Sequence, residues 1–155
     1  MELILWRHAD AEPGGADTSD LMRPLTEKGR KQARKMADWL NRHLPDDCLV
    51  LCSPAVRTMQ TAQALGRHFI TDAALAPDAH AEDVLRVANW PDRTESVLVI
   101  GHQPTLGHVA SLLVTGAKQD WHLRKGSICW IAQRAGDEAG IPYLKALLGA
   151  DLARK

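Results

Sequence analysis

The sequence has little cysteine, no excess of charge of either sign and no long hydrophobic run. Only 3 of its 155 residues are cysteine, and the 19 Lys and Arg residues equal the 19 Asp and Glu residues in number. A balanced charge creates no overall field that would attract nucleic acid or an anionic membrane, so we expect neither as a partner. The first apolar stretch, residues 3–6, is shorter than a signal-peptide core, and no segment has the length of a membrane span. The sequence therefore predicts a cytoplasmic protein that must hold any anion in a local cluster.

The three cysteines predict neither a disulfide nor a metal site. Cys48 and Cys52 lie in one predicted strand, where four residues span about 13 Å, which is too far for a disulfide. No pair of cysteine and histidine has zinc-finger spacing, and there is no P-loop or cluster of carboxylates. We therefore expect reduced, buried thiols, with no metal and no cofactor.

Short apolar runs alternate with amphipathic segments along the chain. The predicted strands are residues 3–6, 48–52, 97–100, 127–132 and 143–148, with a short edge strand within 69–78. The predicted helices are residues 27–43, capped by Thr26, 54–68, capped by Ser53, and also 82–90 and 104–116. The last two strands predict a hairpin around Gly136 to Gly140.

This alternation predicts the architecture. Strands separated by helices favour an α/β fold, a three-layer αβα sandwich whose mostly parallel central sheet carries antiparallel edge strands. The length and the absence of repeats, low-complexity tracts and linkers predict a single domain over residues 1–155.

Three of the predicted strands end in residues that suit a phosphoryl group. Arg7 and His8 follow the first strand, Arg57 lies in the first turn of the helix after the second, and His102 follows strand 97–100. Ligands of open α/β sheets bind beyond the carboxyl ends of the strands, so we expect these side chains to converge. Arginines bind phosphate oxygens bidentately, and a histidine can attack phosphorus or donate a hydrogen bond. Each residue alone is typical of an ordinary loop or helix, and a phosphate-binding module without catalysis remains open.

Four sequence blocks carry a resemblance to a known family. They are Leu3-Ile4-Leu5-Trp6-Arg7-His8-Ala9, Arg23-Pro24-Leu25-Thr26-Glu27-Lys28-Gly29, Ser53-Pro54-Ala55-Val56-Arg57-Thr58-Met59-Gln60-Thr61-Ala62 and Val99-Ile100-Gly101-His102-Gln103-Pro104. The sequence resembles the histidine phosphatase superfamily, the phosphoglycerate mutase-like group, in which these blocks occur in this order. In length and motif set it is similar to the SixA-type phosphohistidine phosphatases. The resemblance is weak after residue 116.

The resemblance implies a phosphatase whose nucleophile is His8. Arg7, Arg57 and His102 would hold the phosphate and its transition state, without a metal. The further phosphate or substrate contacts would be Arg23 and Gln103. Because His8 must attack as a neutral imidazole, we expect its other ring nitrogen to donate to a backbone carbonyl.

Two features depart from the family pattern. Ala9 stands where the signature has glycine; a positive φ there would cost alanine on the order of 1 kcal/mol, whereas a need for a small side chain alone would suit it. No recognisable block with a catalytic glutamate or aspartate lies between the block that ends at Ala62 and the block that begins at Val99. Asp78 is the best candidate for a general acid, Glu82 and Asp83 are weaker, and an ordinary loop or helix role is open for all three.

These departures bear on the substrate. An imidazole leaves easily near neutral pH, so weak acid machinery favours cleavage of phosphohistidine over cleavage of an ester. The only long loop is residues 9–21, and no insertion encloses a small substrate. The sequence therefore predicts dephosphorylation of phosphohistidine on a partner protein, such as a signalling phosphotransfer domain, with a phosphate or sulfate anion in the site. The alternatives are a small-molecule phosphomonoesterase and a non-catalytic phosphate- or phosphoprotein-binding module.

The first predicted helix has a basic surface. Its cationic residues are Lys28, Arg30, Lys31, Arg34, Lys35 and Arg42. Such a face is either solvated or docks an acidic partner, and the sequence alone leaves both interpretations open.

Overall fold

The computed structural model describes residues 1–134 and 140–154. The strands are β1 (Glu2–Arg7), β2 (Leu49–Cys52), β3 (Ile70–Thr71), β4 (Val97–Gly101), β5 (Ile128–Gln133) and β6 (Pro142–Leu148). The helices are α1 (Glu27–His43), α2 (Val56–Gln63), α3 (Ala81–Val87) and α4 (Thr105–Thr115). Short 3₁₀ turns occupy Asp20–Met22, Ala73–Leu75 and Ala150–Leu152. None of these helices is long and apolar enough to cross a membrane.

The strands form one six-stranded sheet in the order β3-β2-β4-β1-β5-β6. The pairs β2–β3, β2–β4 and β1–β4 are parallel, whereas β5 runs antiparallel to both β1 and β6. The mostly parallel sheet with antiparallel strands at one edge is confirmed, and so is the pairing of the terminal hairpin. Most of its predicted turn, Gly136 to Gly140, lies outside the described residues.

The two faces of the sheet bury alternate side chains of each strand. In β1, Leu3 and Leu5 pack with residues of α3 and α4, whereas Ile4 and Trp6 pack with residues of α1 and α2. All four are fully buried. A buried side chain of this size contributes about 1.5–3 kcal/mol to folding, so each face anchors its helices. The predicted three-layer sandwich is confirmed.

Helix α1 begins and ends where the sequence predicts. The Thr26 side chain accepts a hydrogen bond from the Gly29 amide at 2.9 Å, and the apolar stripe faces the sheet. A Cβ atom on Gly29 would collide with the carbonyl oxygen of Asp10, so the close approach of two backbones requires glycine there. The start of α1 therefore packs closely against the loop that follows β1.

Three predicted helix boundaries, which belong to α2 and α3, are wrong. Helix α2 begins at Val56 rather than residue 54, because the Ser53 hydroxyl accepts from the Ala55 amide (3.3 Å) in a turn that precedes the helix. It ends at Gln63 rather than residue 68, ahead of Gly66 with a φ of 67°. Helix α3 ends at Val87 rather than residue 90, just before Asn89, whose φ of 54° is incompatible with a continued helix.

The cysteines are free thiols, as predicted. Burial raises the pKa of Cys52 to about 12 and that of Cys48 and Cys129 to about 11. All three therefore stay protonated near neutral pH, and they are poor nucleophiles.

Candidate active site

The predicted convergence of strand ends is present in the structure. Strands β1 and β4 are neighbours, and the His8 amide donates to the Gly101 carbonyl at 3.1 Å. The imidazole rings of His8 and His102 are neighbours, with their centroids 5.4 Å apart and their planes tilted by 55°. Arg57 is close enough to both rings to lower the pKa of each imidazole through its charge. The sheet topology thus gathers residues from positions 7 to 102 at one edge.

The ring of His8 is held in one orientation by the next residue. Its Nδ1 lies 2.8 Å from the Ala9 carbonyl oxygen. Since a carbonyl oxygen only accepts, Nδ1 carries the proton and Nε2 carries the lone pair. The predicted hydrogen bond to a backbone carbonyl is therefore present, and Nε2 is the nitrogen available for attack.

Ala9 occupies its position without strain. Among the described residues, the only ones other than glycine with positive φ are Asp78 and Asn89. Ala9 is fully buried against Leu25 and Ala33, and its amide donates to Thr61 Oγ1 at 3.1 Å. The site needs a small side chain here and not a glycine conformation.

Both imidazoles are neutral at physiological pH. Burial lowers the pKa of His8 to about 4; the Ala9 hydrogen bond opposes this shift, and the charges of Arg57 and Arg7 add to it. Burial, His8 and Arg57 lower the pKa of His102 to about 3. A neutral His8 keeps its lone pair, which is the state that a nucleophile requires.

We expect His8 to titrate near pH 4, well below the ordinary value of 6.5. Because the folded pKa lies below that of the unfolded chain, this group's contribution to stability is present above pH 6.5 and is lost as pH falls toward 4. Titration of imidazole resonances by NMR measures the midpoint directly. A His8 midpoint at or above 6.5 would contradict this description of the site.

Three buried polar atoms of the site have no hydrogen-bond partner. Across residues 1–134 and 140–154, the buried side-chain nitrogens and oxygens without a partner are Arg7 Nε, Arg57 Nε and His102 Nδ1. Unpaired buried groups are rare and costly, and an isolated one is expected to have a functional reason. All three belong to residues that the sequence assigned to one anion.

The neighbouring atoms of these side chains are well anchored. Arg7 donates from Nη1 to the Leu123 carbonyl at 2.8 Å, and His102 Nε2 lies 2.7 Å from the hydroxyl of buried Ser53. The sequence predicted Ser53 only as a helix cap. Its position directly after β2, beside the end of β4, is the signal that marks it as a partner of His102.

Sequence reasoning missed Asp20, which bridges two arginines of the site. Arg57 donates to the Asp20 carbonyl at 2.7 Å and to its carboxylate at 3.1 Å, and Arg23 Nε donates to the same carboxylate at 3.0 Å. Partial burial raises the pKa of Asp20, but the hydrogen bonds and charges of Arg57 and Arg23 outweigh it and lower the pKa below its usual value. The site therefore already binds one anionic group between these two arginines. No sequence motif signals this contact, which joins residues 37 positions apart.

The side chain of Gln103 lies between α4 and the loop before β5. Its Nε2 donates to the Trp121 carbonyl and its Oε1 accepts from the Gly107 amide, at 2.8 and 2.7 Å. Both ends of the amide thus hold the loop before β5 against α4. The predicted phosphate or substrate contact of Gln103 stays a prediction.

The candidate acids separate into two groups. Glu82 pairs with Lys118 at 2.7 Å, and Asp83 accepts from the His80 amide at 2.9 Å to cap α3. Asp78 is exposed and lines a cleft of about 530 Å³ that also contains Asp20 and Asp83, which we name the acidic cleft. Of the three acids, Asp78 is the one whose side chain has no hydrogen bond or ion pair with any residue that the structure describes. Nowhere in those residues do three or more His, Cys, Asp or Glu side chains form a group that could hold a metal.

Comparisons with known proteins agree with this geometry. The family model of the histidine phosphatase superfamily (branch 1) matches residues 3–80. Phosphohistidine phosphatase SixA of Escherichia coli (strain K12) is 33% identical over 124 residues, which are 75% of this chain and 76% of that protein. A phosphohistidine phosphatase SixA homolog of Haemophilus influenzae is 30% identical over 128 residues, 73% of this chain and 77% of that protein.

The fold is shared along almost the whole chain. The structure of the protein histidine phosphatase SixA complexed with tungstate matches with a TM-score of 0.81 and 27% identity, and covers 97% of this chain and 98% of that one. The likeness therefore extends past residue 116, where the sequence resemblance is weak. On sequence and fold together, this chain belongs to the histidine phosphatase superfamily (branch 1) as a SixA-like member.

Proposed function

We propose that this protein is a phosphohistidine phosphatase that removes the phosphoryl group from a histidine of a partner protein by way of a phosphohistidine on His8. The observation that carries the proposal is the set of unpaired buried nitrogens on Arg7, Arg57 and His102 around a neutral, oriented His8. The relatives named phosphohistidine phosphatases, one of them solved with the oxyanion tungstate, support the substrate class.

Binding of the phosphoryl group uses the arginines that now hold Asp20. The Asp20 carboxylate is 58% exposed, so it can move into solvent at small cost, whereas Arg57 is 4% exposed and stays in place. A phosphoryl dianion that replaces it accepts hydrogen bonds from Arg57 and Arg23 on one side and from Arg7 and His102 on the other. Bidentate charge-assisted hydrogen bonds of this kind are strong and directional.

Transfer then proceeds in two steps. The lone pair of His8 Nε2 attacks phosphorus, the bond between phosphorus and the substrate nitrogen breaks, and the leaving imidazole takes up a proton. Water next attacks the phosphoryl group on His8, inorganic phosphate leaves, and Nε2 regains its lone pair. The arginines act by positioning and by stabilising charge on the equatorial oxygens.

The proposed reaction needs little general acid catalysis. Asp78, in the acidic cleft, is the carboxyl that we propose as proton donor, and an imidazole leaving group depends on such a donor less than an alkoxide does. Neither step draws on a metal, so we propose that activity is metal-independent. Free thiols suit the reducing cytoplasm, where we place the protein.

A comparison of substrates tests this proposal. We expect kcat/KM for a phosphohistidine peptide to exceed that for sugar phosphates by about 100-fold or more, because an imidazole leaving group needs a proton donor less than an alkoxide does. Each substrate is assayed with and without a chelator, which we expect to have no effect. Faster turnover of the esters would identify a phosphomonoesterase instead, and no turnover of any substrate would favour a binding module.

A further inference from the structure

A cationic groove lies beside the candidate active site. It has a volume of about 510 Å³ and runs along one face of α1. Five cations and two carboxylates line it. The cations that define the cationic groove are Lys28, Lys31, Lys35, Arg124 and Lys125.

The groove is continuous with the loop that carries the nucleophile. Lys125 donates to Asp10 Oδ1 at 3.1 Å, and Asp10 follows His8 by two residues. The Gly126 amide donates to the carbonyl oxygens of Arg7 and His8, at 3.1 and 3.0 Å. The segment that supplies Arg124 and Lys125 to the groove is therefore hydrogen-bonded, through the next residue, Gly126, to the backbone of the site.

Most of the positive charge of the groove is available to a ligand. Lys28, Lys35 and Arg124 have no side-chain hydrogen bond or ion pair with any residue that the structure describes. Lys31 has only a pair with Glu27 at 3.9 Å, both groups being largely exposed, and such a pair is weak. Since the chain as a whole has no net charge, this face is a local concentration of positive charge.

We propose that the cationic groove binds an acidic segment of the protein that carries the phosphohistidine; this inference rests on the proposed function. From Lys28 to Lys35 the helix rises about 10 Å, which matches roughly three residues of extended chain. Acidic residues within a few positions of the phosphohistidine reach the groove while the phosphoryl group reaches His8.

Two phosphohistidine peptides test the inference, one flanked by glutamates and one by glutamines in their place. We expect wild-type kcat/KM to be about tenfold higher for the glutamate peptide at low salt, and the ratio to shrink at high salt because exposed charges are screened. In the variant Lys31→Gln/Lys35→Gln we expect the ratio to fall close to one. The variant Arg30→Gln/Arg34→Gln removes the same charge from the other face of α1 and keeps the wild-type ratio.

The outcomes separate the inference from the proposed function. Equal turnover of both peptides by the wild type overturns the proposed binding role of the cationic groove and leaves the proposed function intact. If neither peptide is turned over, the proposed function fails. Fluorescence anisotropy of the labelled, unphosphorylated peptides then tests whether the cationic groove binds an acidic segment. The inference is supported if the wild type binds the glutamate peptide more tightly and the variant Lys31→Gln/Lys35→Gln loses this preference. Equal binding of the two peptides by the wild type overturns it.

Discussion

The variant His8→Ala is expected to lose phosphohistidine hydrolysis by a factor of about 10⁴ or more, because it removes the imidazole that we propose as the acceptor of the phosphoryl group. In the structure, His8 Nε2 is the ring nitrogen that keeps a lone pair, since Nδ1 donates to Ala9. We do not expect His102 to take over, because its unpaired Nδ1 is the atom that we propose to donate a hydrogen bond to the phosphoryl group. Single-turnover and steady-state kinetics with a phosphohistidine peptide measure the effect.

Two comparisons make this result specific. His68→Ala replaces an exposed histidine away from the site, and we expect its rate to stay within about twofold of the wild type, as is usual for surface substitutions. Oxyanion binding by His8→Ala is expected to persist, since the arginines remain. A His8→Ala protein that retains more than about a hundredth of the wild-type rate would assign the nucleophile to another group.

The variant Arg57→Ala is expected to lower kcat/KM by about 10³-fold and to weaken tungstate binding strongly. Arg57 is the most buried of the arginines that surround His8, and its guanidinium is already positioned by two hydrogen bonds to Asp20. Removal of one fixed donor to a developing oxyanion costs about 10²–10³ in rate, and a buried arginine that neutralises phosphoryl charge contributes at the upper end or beyond. Arg57→Lys is expected to recover little, because an ammonium cannot bind two oxygens side by side.

Asp20→Asn should change oxyanion binding in the opposite direction. The wild-type carboxylate competes with the ligand for Arg57 and Arg23, so its neutralisation is expected to tighten tungstate binding by a few-fold. Isothermal titration calorimetry of wild type, Arg57→Ala and Asp20→Asn measures both effects, with exposed Arg86→Ala as the matched arginine control. Unchanged affinity in Arg57→Ala would mean that the anion lies elsewhere.

The elements that local sequence determines were predicted well. Helix α1 has both its cap, Thr26, and its apolar stripe within one continuous segment, and the observed bounds match. The apolar run of β4 is buried on both faces, which explains why its pattern is continuous. The predicted convergence of Arg7, His8, Arg57 and His102 followed from their positions at or just after the carboxyl ends of predicted strands.

Contacts between distant segments were not predictable from local pattern. Ser53 resembles a helix cap, but its hydroxyl lies 2.7 Å from a ring 49 residues away, and α2 begins later. Asp20 lies in a loop without periodicity, and only the fold brings it to Arg57. Gln103 follows His102 in a phosphatase motif, yet its amide is occupied by Trp121 and Gly107.

The central claim is that His8 Nε2 accepts the phosphoryl group within a cluster formed by Arg7, Arg57 and His102. Rapid mixing with a phosphohistidine peptide, quenching in alkali and mass spectrometry of the digested protein test it most directly, because phosphohistidine survives alkali and is lost in acid. We predict a single transient phosphorylated peptide that contains His8 and is absent from His8→Ala. A phosphoryl group found on another residue, or phosphate release without any phosphorylated protein, would contradict it.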